Sequence, residues 1–216
     1  MTDTTQIGSF ILAGGASTRM GHDKSLLELA GETLIARILH LLQRSRLQPT
    51  IVGDPEKFAG LALGAPVIPD DTPGLGPLAG IATALRHTKK PWNLIVGCDL
   101  PFLTDDWIRY LIARATRAHK DAESRFDVVI PQNQAVPEPL CAMYHQRCVV
   151  AISEQLARGI RKVTAALAGL RLDLILPEEW KAFDSGGLLF KNMNSPQDYR
   201  RAREILEGKF KGQRAN

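Results

Sequence analysis

The chain lacks the long apolar run of a helical membrane span, the pattern of a signal peptide and an even cysteine framework. No run of ~18 apolar residues occurs, which excludes a helical membrane span. The first residues, Met1-Thr2-Asp3-Thr4-Thr5-Gln6, show neither a basic segment nor the apolar stretch that follows one in a signal peptide. The three cysteines, Cys98, Cys141 and Cys148, form no CxxC pair and no even framework. Reduced thiols in a cytoplasmic protein are the expectation. The five histidines show no metal-ligand spacing, and no heptad, internal repeat or low-complexity tract is present.

A basic stripe interleaved with aromatics is also missing. The formal charge of +4 comes from the C-terminal end, where Arg200, Arg201, Arg203, Lys209, Lys211 and Arg214 outnumber Glu204 and Glu207. A solvated, frayed terminus explains that surplus, so no nucleic-acid partner is expected. Residues from Lys209 onward are expected to form a basic tail without fixed structure, outside a single domain of residues 1–208.

The common phosphate-binding fingerprints are absent as well. Neither G-x-x-x-x-G-K-[ST] nor G-x-G-x-x-G occurs. What stands in their place is Leu12-Ala13-Gly14-Gly15-Ala16-Ser17-Thr18-Arg19-Met20-Gly21-His22-Asp23-Lys24, after the apolar run Ile7–Leu12. Paired glycines between a strand and a helix let backbone N–H groups close on phosphate oxygens. Arg19 and Lys24 add a planar fork and a point charge, both suited to a triphosphate. The alternative is an ordinary tight connection carrying solvated charges.

An apolar fraction of 44% supports a sizeable core. Short apolar runs predict strands at Ser9–Leu12, Thr50–Val52, Pro66–Ile68, Asn93–Gly97, Phe126–Ile130, Pro139–Tyr144 and Phe190–Met193. Amphipathic stretches predict helices at Thr33–Ser45, Gly76–His87, Asp105–His119, His145–Ala157, Arg161–Ala168 and Pro196–Glu207. Continuously apolar strands alternating with helices indicate an α/β, three-layer α/β/α Rossmann-like fold with a mostly parallel sheet. In such sheets ligands bind beyond the carboxyl ends of the strands.

Asp99 follows Leu94-Ile95-Val96-Gly97-Cys98, the most core-like run in the chain. A carboxylate at that edge suits Mg²⁺ held mostly by water and phosphate; a turn aspartate before Pro101 is the bland alternative. Cys98 beside it has no base in view and reads as a small buried hydrophobe.

These residues resemble a family. L-A-G-G-x-S-x-R-M-G-x-D-K is similar to the signature loop of the molybdenum cofactor guanylyltransferases, among the Rossmann-like nucleotidyltransferases. The resemblance continues at Gly76-Pro77-Leu78-Ala79-Gly80-Ile81, Gly97-Cys98-Asp99-Leu100-Pro101-Phe102-Leu103, Pro139-Leu140-Cys141-Ala142-Met143-Tyr144 and Phe190-Lys191-Asn192-Met193-Asn194-Ser195-Pro196. It implies GMP transfer from GTP to the terminal phosphate of molybdopterin or Mo-molybdopterin, with release of pyrophosphate and with Mg²⁺ as cofactor. It also implies association with molybdenum insertion proteins and with molybdoenzymes or their chaperones. Arg19, Lys24 and Asp99 would then be catalytic, with Asp99 on the metal. Leu12, Ala13, Gly14, Gly15, Lys24, Gly53, Asp70 and Asp99 would bind nucleotide. Pro139, Leu140, Asn192 and Asn194 would lie on the acceptor side, within reach of the segment Pro137-Glu138-Pro139-Leu140. Asp70 matches an aspartate associated with guanine, whereas Asp71 reads as a solvated loop residue. Gly53 departs from the family's asparagine, which leaves the route of guanine selection open. A CTP-dependent molybdopterin cytidylyltransferase or a sugar-phosphate nucleotidyltransferase on the same scaffold is the nearest alternative. A non-catalytic nucleotide-binding regulator or carrier is the next.

Overall fold

The computed structural model describes residues 4–14, 23–118, 126–184 and 186–213. The chain begins with β1 (Ile7–Leu12), a small hairpin of β2 (Glu28–Leu29) and β3 (Glu32–Thr33), then α1 (Leu34–Arg44) and β4 (Thr50–Val52). It continues through α2 (Pro55–Phe58), β5 (Val67–Ile68), α3 (Pro77–Arg86), β6 (Trp92–Gly97) and α4 (Asp105–Ala118). Next come β7 (Val128–Asn133), β8 (Val136–Pro137), β9 (Cys141–His145), α5 (Cys148–Ala157) and α6 (Val163–Ala166). The last elements are β10 (Leu172–Ile175), α7 (Pro177–Trp180) and α8 (Pro196–Gln213).

The main sheet has the order β10-β7-β9-β6-β1-β4-β5, with β8 paired to β7 at its margin. β5, β4, β1 and β6 run parallel, and β10 runs parallel to β7. β9 opposes both of its neighbours, β6 and β7. The sheet is therefore mostly parallel, as its apolar strands require.

Each strand feeds two cores because successive side chains point to opposite faces. Ile7 and Ile11 of β1 join Ile35, Ile38 and Leu42 of α1 and Trp107, Ile108 and Leu111 of α4. Phe10 and Leu12 of the same strand pack with Leu78, Ile81 and Leu85 of α3 and with Ile152 of α5. Helices thus cover both faces. α1 starts at its Thr33 cap, whose Oγ1 accepts from Ala36 N at 3.3 Å. α1 joins β1 to β4 on one face, and α3 carries the chain back across β1 to β6 on the other. The direction of travel reverses between β1 and β6, which opens a crevice at the carboxyl end of β1.

Three expectations need correction. Phe190–Met193 is not a strand. Its apolar side chains are buried singly: Phe190 lies edge-on to Trp107 and Trp180 at 5.5 and 4.9 Å between ring centroids, and Met193 enters a small core with Leu29, Leu34 and Ala202. β10 is a strand that the apolar pattern missed, because Asp173 interrupts it. That acid is buried, and the Arg114 guanidinium meets it with two bonds of 2.8 and 2.9 Å. Finally, α8 runs to Gln213, past Glu207 and through Lys209, where no fixed structure was expected.

Asp127, 8% exposed, joins the start of β7 to the segment before β10. Burial resists its ionisation, but bonds from the Arg171 side chain and N–H and from Arg147 hold it down to about 2. A depressed carboxyl stabilises the fold above its unfolded value near 3.8 and loses that contribution as pH falls through the folded value. Asp127→Asn should therefore cost about 2 kcal/mol at pH 7 in urea titrations, with the difference from wild type shrinking steadily below pH 4.

Candidate functional site

The site is assembled along the carboxyl edge of the parallel strands. β1 is fastened there on both sides: Ala13 N donates to Val52 O of β4 at 2.9 Å, and Cys98 N donates to Leu12 O at 3.3 Å. Beyond Gly14 the chain enters residues 15–22, so Gly15, Arg19 and His22 lie outside the described residues. It returns at Asp23, which caps the short 3-10 helix Lys24–Leu26 and accepts from Ser25 N at 2.9 Å and Ser25 Oγ at 2.6 Å.

Lys57, on α2, spans the two ends of this connection. Its Nζ donates to Ala13 O at 3.1 Å and pairs with the Asp23 carboxylate. Burial resists the Asp23 charge, but the Lys57 and Ser25 bonds overcome it and hold the group below the usual carboxylate range. No residue pattern singles Lys57 out. The only readable signal is the helix start Asp54-Pro55, where Asp54 Oδ1 accepts from Glu56 N at 3.0 Å and so positions α2.

Toward β4 and β5 lies a cavity of about 540 Å³, lined by Gly14, Gly53, Pro55, Pro69, Asp70 and Gly76 among others. Three of the sequence-predicted nucleotide residues, Gly14, Gly53 and Asp70, therefore meet in one place. Gly76 has φ +82°, a conformation that glycine adopts without strain, and it leads directly into α3. Gly53 is small for a packing reason. A Cβ there would lie 3.1 Å from Phe58 Cε2 and 3.5 Å from the Ala13 backbone, so any larger residue makes the Phe58 ring give way by a few tenths of an ångström. Asp71 does more than face water: Arg86 on α3 donates to its Oδ2 at 2.7 Å.

Toward β6 and β9 lies a second group, built on acids. Asp99 folds back over the end of β6, its Oδ1 only 2.7 Å from where a Cβ on Gly97 would be. Gly97 N in turn donates to Leu140 O at 2.8 Å. Val96 and Cys141 close the antiparallel ladder, and in the turns beyond it Asp99 lies near enough for its charge to disfavour the Glu138 anion. Burial pushes the Asp99 carboxyl up, against the pull of Lys24. Glu138 is pushed up to about 7 by burial and by the Asp99 charge, against hydrogen bonds from Asn192 and from the Leu140 N–H.

The extended segment 192–194 lies across these acids. Met193 N donates to Asp99 O at 2.9 Å, Asn192 bonds Glu138, and Asn194 Oδ1 accepts from Lys24 Nζ at 3.0 Å. Asn192, Asn194, Lys24 and Asp99 are thus brought together as the sequence predicts. Pro139 and Leu140 border the group mainly through backbone: Pro139 O accepts from Tyr144 Oη at 2.9 Å. Glu138 was legible only as part of its segment. Its charge matters because the fold brings it near Asp99, and a lone acid between prolines carries no such signal.

Two carboxylates that burial disfavours as anions, with the Asp99 charge also acting on Glu138, form an oxygen donor set short of positive charge. That chemistry fits a hard divalent cation. Among the described residues no cluster of three or more acidic, histidine or cysteine ligands exists, so such an ion would take its remaining ligands from water and substrate phosphate. Cys98 is no nucleophile in this setting, since burial and the adjacent Asp99 push its thiol up to about 12.

Comparisons with known proteins identify the family and the fold. A MobA-like NTP transferase domain matches residues 9–171. A probable molybdenum cofactor guanylyltransferase from Pelotomaculum thermopropionicum is 34% identical over 207 residues, which is 96% of this chain and 97% of that one. One from Natranaerobius thermophilus is 30% identical, covering 94% of this chain and 98% of the relative. The crystal structure of molybdopterin-guanine dinucleotide biosynthesis protein A from Archaeoglobus fulgidus superposes with a TM-score of 0.80. It is 29% identical and covers 93% of this chain and 99% of its own.

The crowding at position 53 is testable without substrate. Gly53→Ala should lower stability by about 1 kcal/mol in denaturant titrations, through pressure on the Phe58 ring. Against a Phe58→Leu background the same substitution should add no cost.

Proposed function

The chain belongs to the MobA-like NTP transferases, the family of the molybdenum cofactor guanylyltransferases, and on that footing we propose that it transfers GMP from GTP to the terminal phosphate of molybdopterin. One observation carries the reading. Along a single sheet edge stand a cavity at β4 and β5, Gly14 and Lys24 on either side of the connection after β1, and the acids Asp99 and Glu138 beyond β6 and before β9. A nucleoside triphosphate laid along that edge puts its base at the cavity and its α-phosphate, the reacting centre, within range of Lys24 and the acids.

The acceptor phosphate oxygen attacks the α-phosphorus of GTP, and the bond to the β-bridging oxygen breaks, releasing pyrophosphate. An acceptor phosphate is already anionic near neutral pH, so no general base is required. Alignment and charge neutralisation supply the acceleration. Backbone N–H groups at Gly14 and Gly15 cradle phosphates, and Lys24 with Arg19 balances the charge that builds on the leaving group. Asp99, with Glu138 near it, would hold Mg²⁺, which would supply neutralisation of phosphate charge. Asn192 and Asn194 border the acceptor, where Asn194 also steadies Lys24. The product is the guanine dinucleotide form of the cofactor, so molybdenum insertion proteins and molybdoenzymes or their chaperones are the partners the role implies. Reduced cysteines suit a cytoplasmic enzyme.

The test is pyrophosphate release from Mg-GTP with and without molybdopterin. Acceptor-dependent release is expected, and a preference for CTP over GTP would replace guanylyl by cytidylyl transfer. Nucleotide binding without any release would make the chain a carrier. Lys24→Ala should lose about 10²–10³-fold in turnover while its thermal midpoint stays near that of the wild type. Near-normal transfer by that variant sinks the assignment of Lys24.

A further inference from the structure

With Gly53 unable to contact the base through a side chain, selection of guanine falls on Asp70 and whatever holds it. Asp70 lines the cavity beside Gly53, but only half of its carboxylate is free for a ligand. Its Oδ1 accepts from Thr72 N at 3.0 Å and from Thr83 Oγ1 at 3.0 Å. Among the described residues no donor reaches Oδ2. Thr83 is fully buried on α3, and the same hydroxyl accepts from Asp71 N at 3.1 Å. A hydroxyl has one proton to give. The Asp71 N–H faces its lone pair, so that proton goes to Asp70 Oδ1.

We propose that Thr83 is the positioning residue for base selection, locking Asp70 Oδ1 inward as an acceptor and leaving Oδ2 as the oxygen offered to the N1–H and 2-amino edge of guanine. This rests on the reading of Asp70 as the residue that meets the base. A carboxylate free to rotate presents either oxygen anywhere on its arc; this one presents a single acceptor in one place. The chemistry then dictates what an amide would do at position 70. Thr72 N–H and the Thr83 hydroxyl both donate, so an asparagine keeps its oxygen inward and turns its NH₂ to the ligand. Guanine meets that donor with two donors of its own, N1–H and the 2-amino group, whereas xanthine keeps N1–H but carries a carbonyl acceptor in place of the amino group, so the change favours xanthine relative to guanine.

Four variants decide the matter: Asp70→Asn, Thr83→Val, Thr83→Ser and the double variant Asp70→Asn/Thr83→Val. Each is assayed with GTP and XTP, alongside the thermal shift that each nucleotide induces. Asp70→Asn should move the kcat/KM ratio at least about tenfold toward XTP, the scale of one charge-assisted hydrogen bond. Thr83→Val should raise KM for GTP about tenfold with kcat within about twofold of wild type, and Thr83→Ser should restore it. Adding Thr83→Val to Asp70→Asn should weaken the XTP preference severalfold, because the Thr72 N–H alone is then left to hold the amide oxygen inward.

An unchanged GTP-to-XTP ratio in Asp70→Asn overturns the assignment of Asp70 itself, and Thr83 with it. An inverted ratio in Asp70→Asn that survives Thr83→Val undiminished overturns the role of Thr83 alone. If the valine variants do not fold, the decision passes to Asp70→Asn/Thr83→Ser. Retained inversion there supports the hydroxyl lock, and lost inversion refutes it.

Discussion

The structure depends on β1 being bonded on both edges to parallel strands while both of its faces are apolar. Ile7 and Ile11 on one face and Phe10 and Leu12 on the other commit it to the middle of the sheet. Ladders to β4 and β6 then leave its carboxyl end as the one place where neighbouring connections diverge. Everything with chemical potential is attached around that end. Gly14 extends it, Gly53 and Asp70 flank it on the β4–β5 side, and Asp99 flanks it on the β6 side.

Charge is distributed along that edge in an ordered way. The acids beyond β6 and before β9 have lost much of their water, and the Asp99 charge acts on Glu138, so the folded chain stores a demand for positive charge there. Lys24 answers it in part, reaching past the acids to Asn194. Lys57 answers a different anion, Asp23, and is held by the Ala13 carbonyl. Two lysines close in space are thereby assigned different work. Lys57 joins the two stems of the connection after β1, while Lys24 stands at the acids, where phosphate and metal chemistry belongs.

Much of this was legible in the sequence, and the omissions share one cause. Strands such as Thr50–Val52 and helices such as Leu34–Arg44 follow from local apolar periodicity and caps, which are written in consecutive residues. Asp99, Lys24, Asn192 and Asn194 carried signals because each sits in a distinctive run. Lys57 and Glu138 did not, because their importance comes from partners far along the chain: Asp23 and Ala13 for one, Asp99 and Asn192 for the other. β10 was hidden by Asp173, whose burial makes sense only once Arg114 of α4 is placed beside it. The apolar letters of Phe190–Met193 misled for the converse reason. Burial by separate ring contacts looks like a strand in one dimension.

The glycine at position 53 shows how a missing side chain and a present one are linked. Phe58 occupies the space that a larger residue at 53 would need, and its ring lies 4.7 Å under the Lys57 ammonium. The ring therefore supports the lysine that secures the first connection, a cation–π contact of ordinary strength made more effective by partial burial. A side chain at 53 would press on that ring, the one that lies under the Lys57 ammonium. The chain has instead kept position 53 bare and placed its polar contact one strand farther out, at Asp70. There a buried hydroxyl on α3 supplies the orientation. Base contact and loop support are thereby separated onto different elements, α3 for the first and α2 for the second, and each can be exact in position without straining the other.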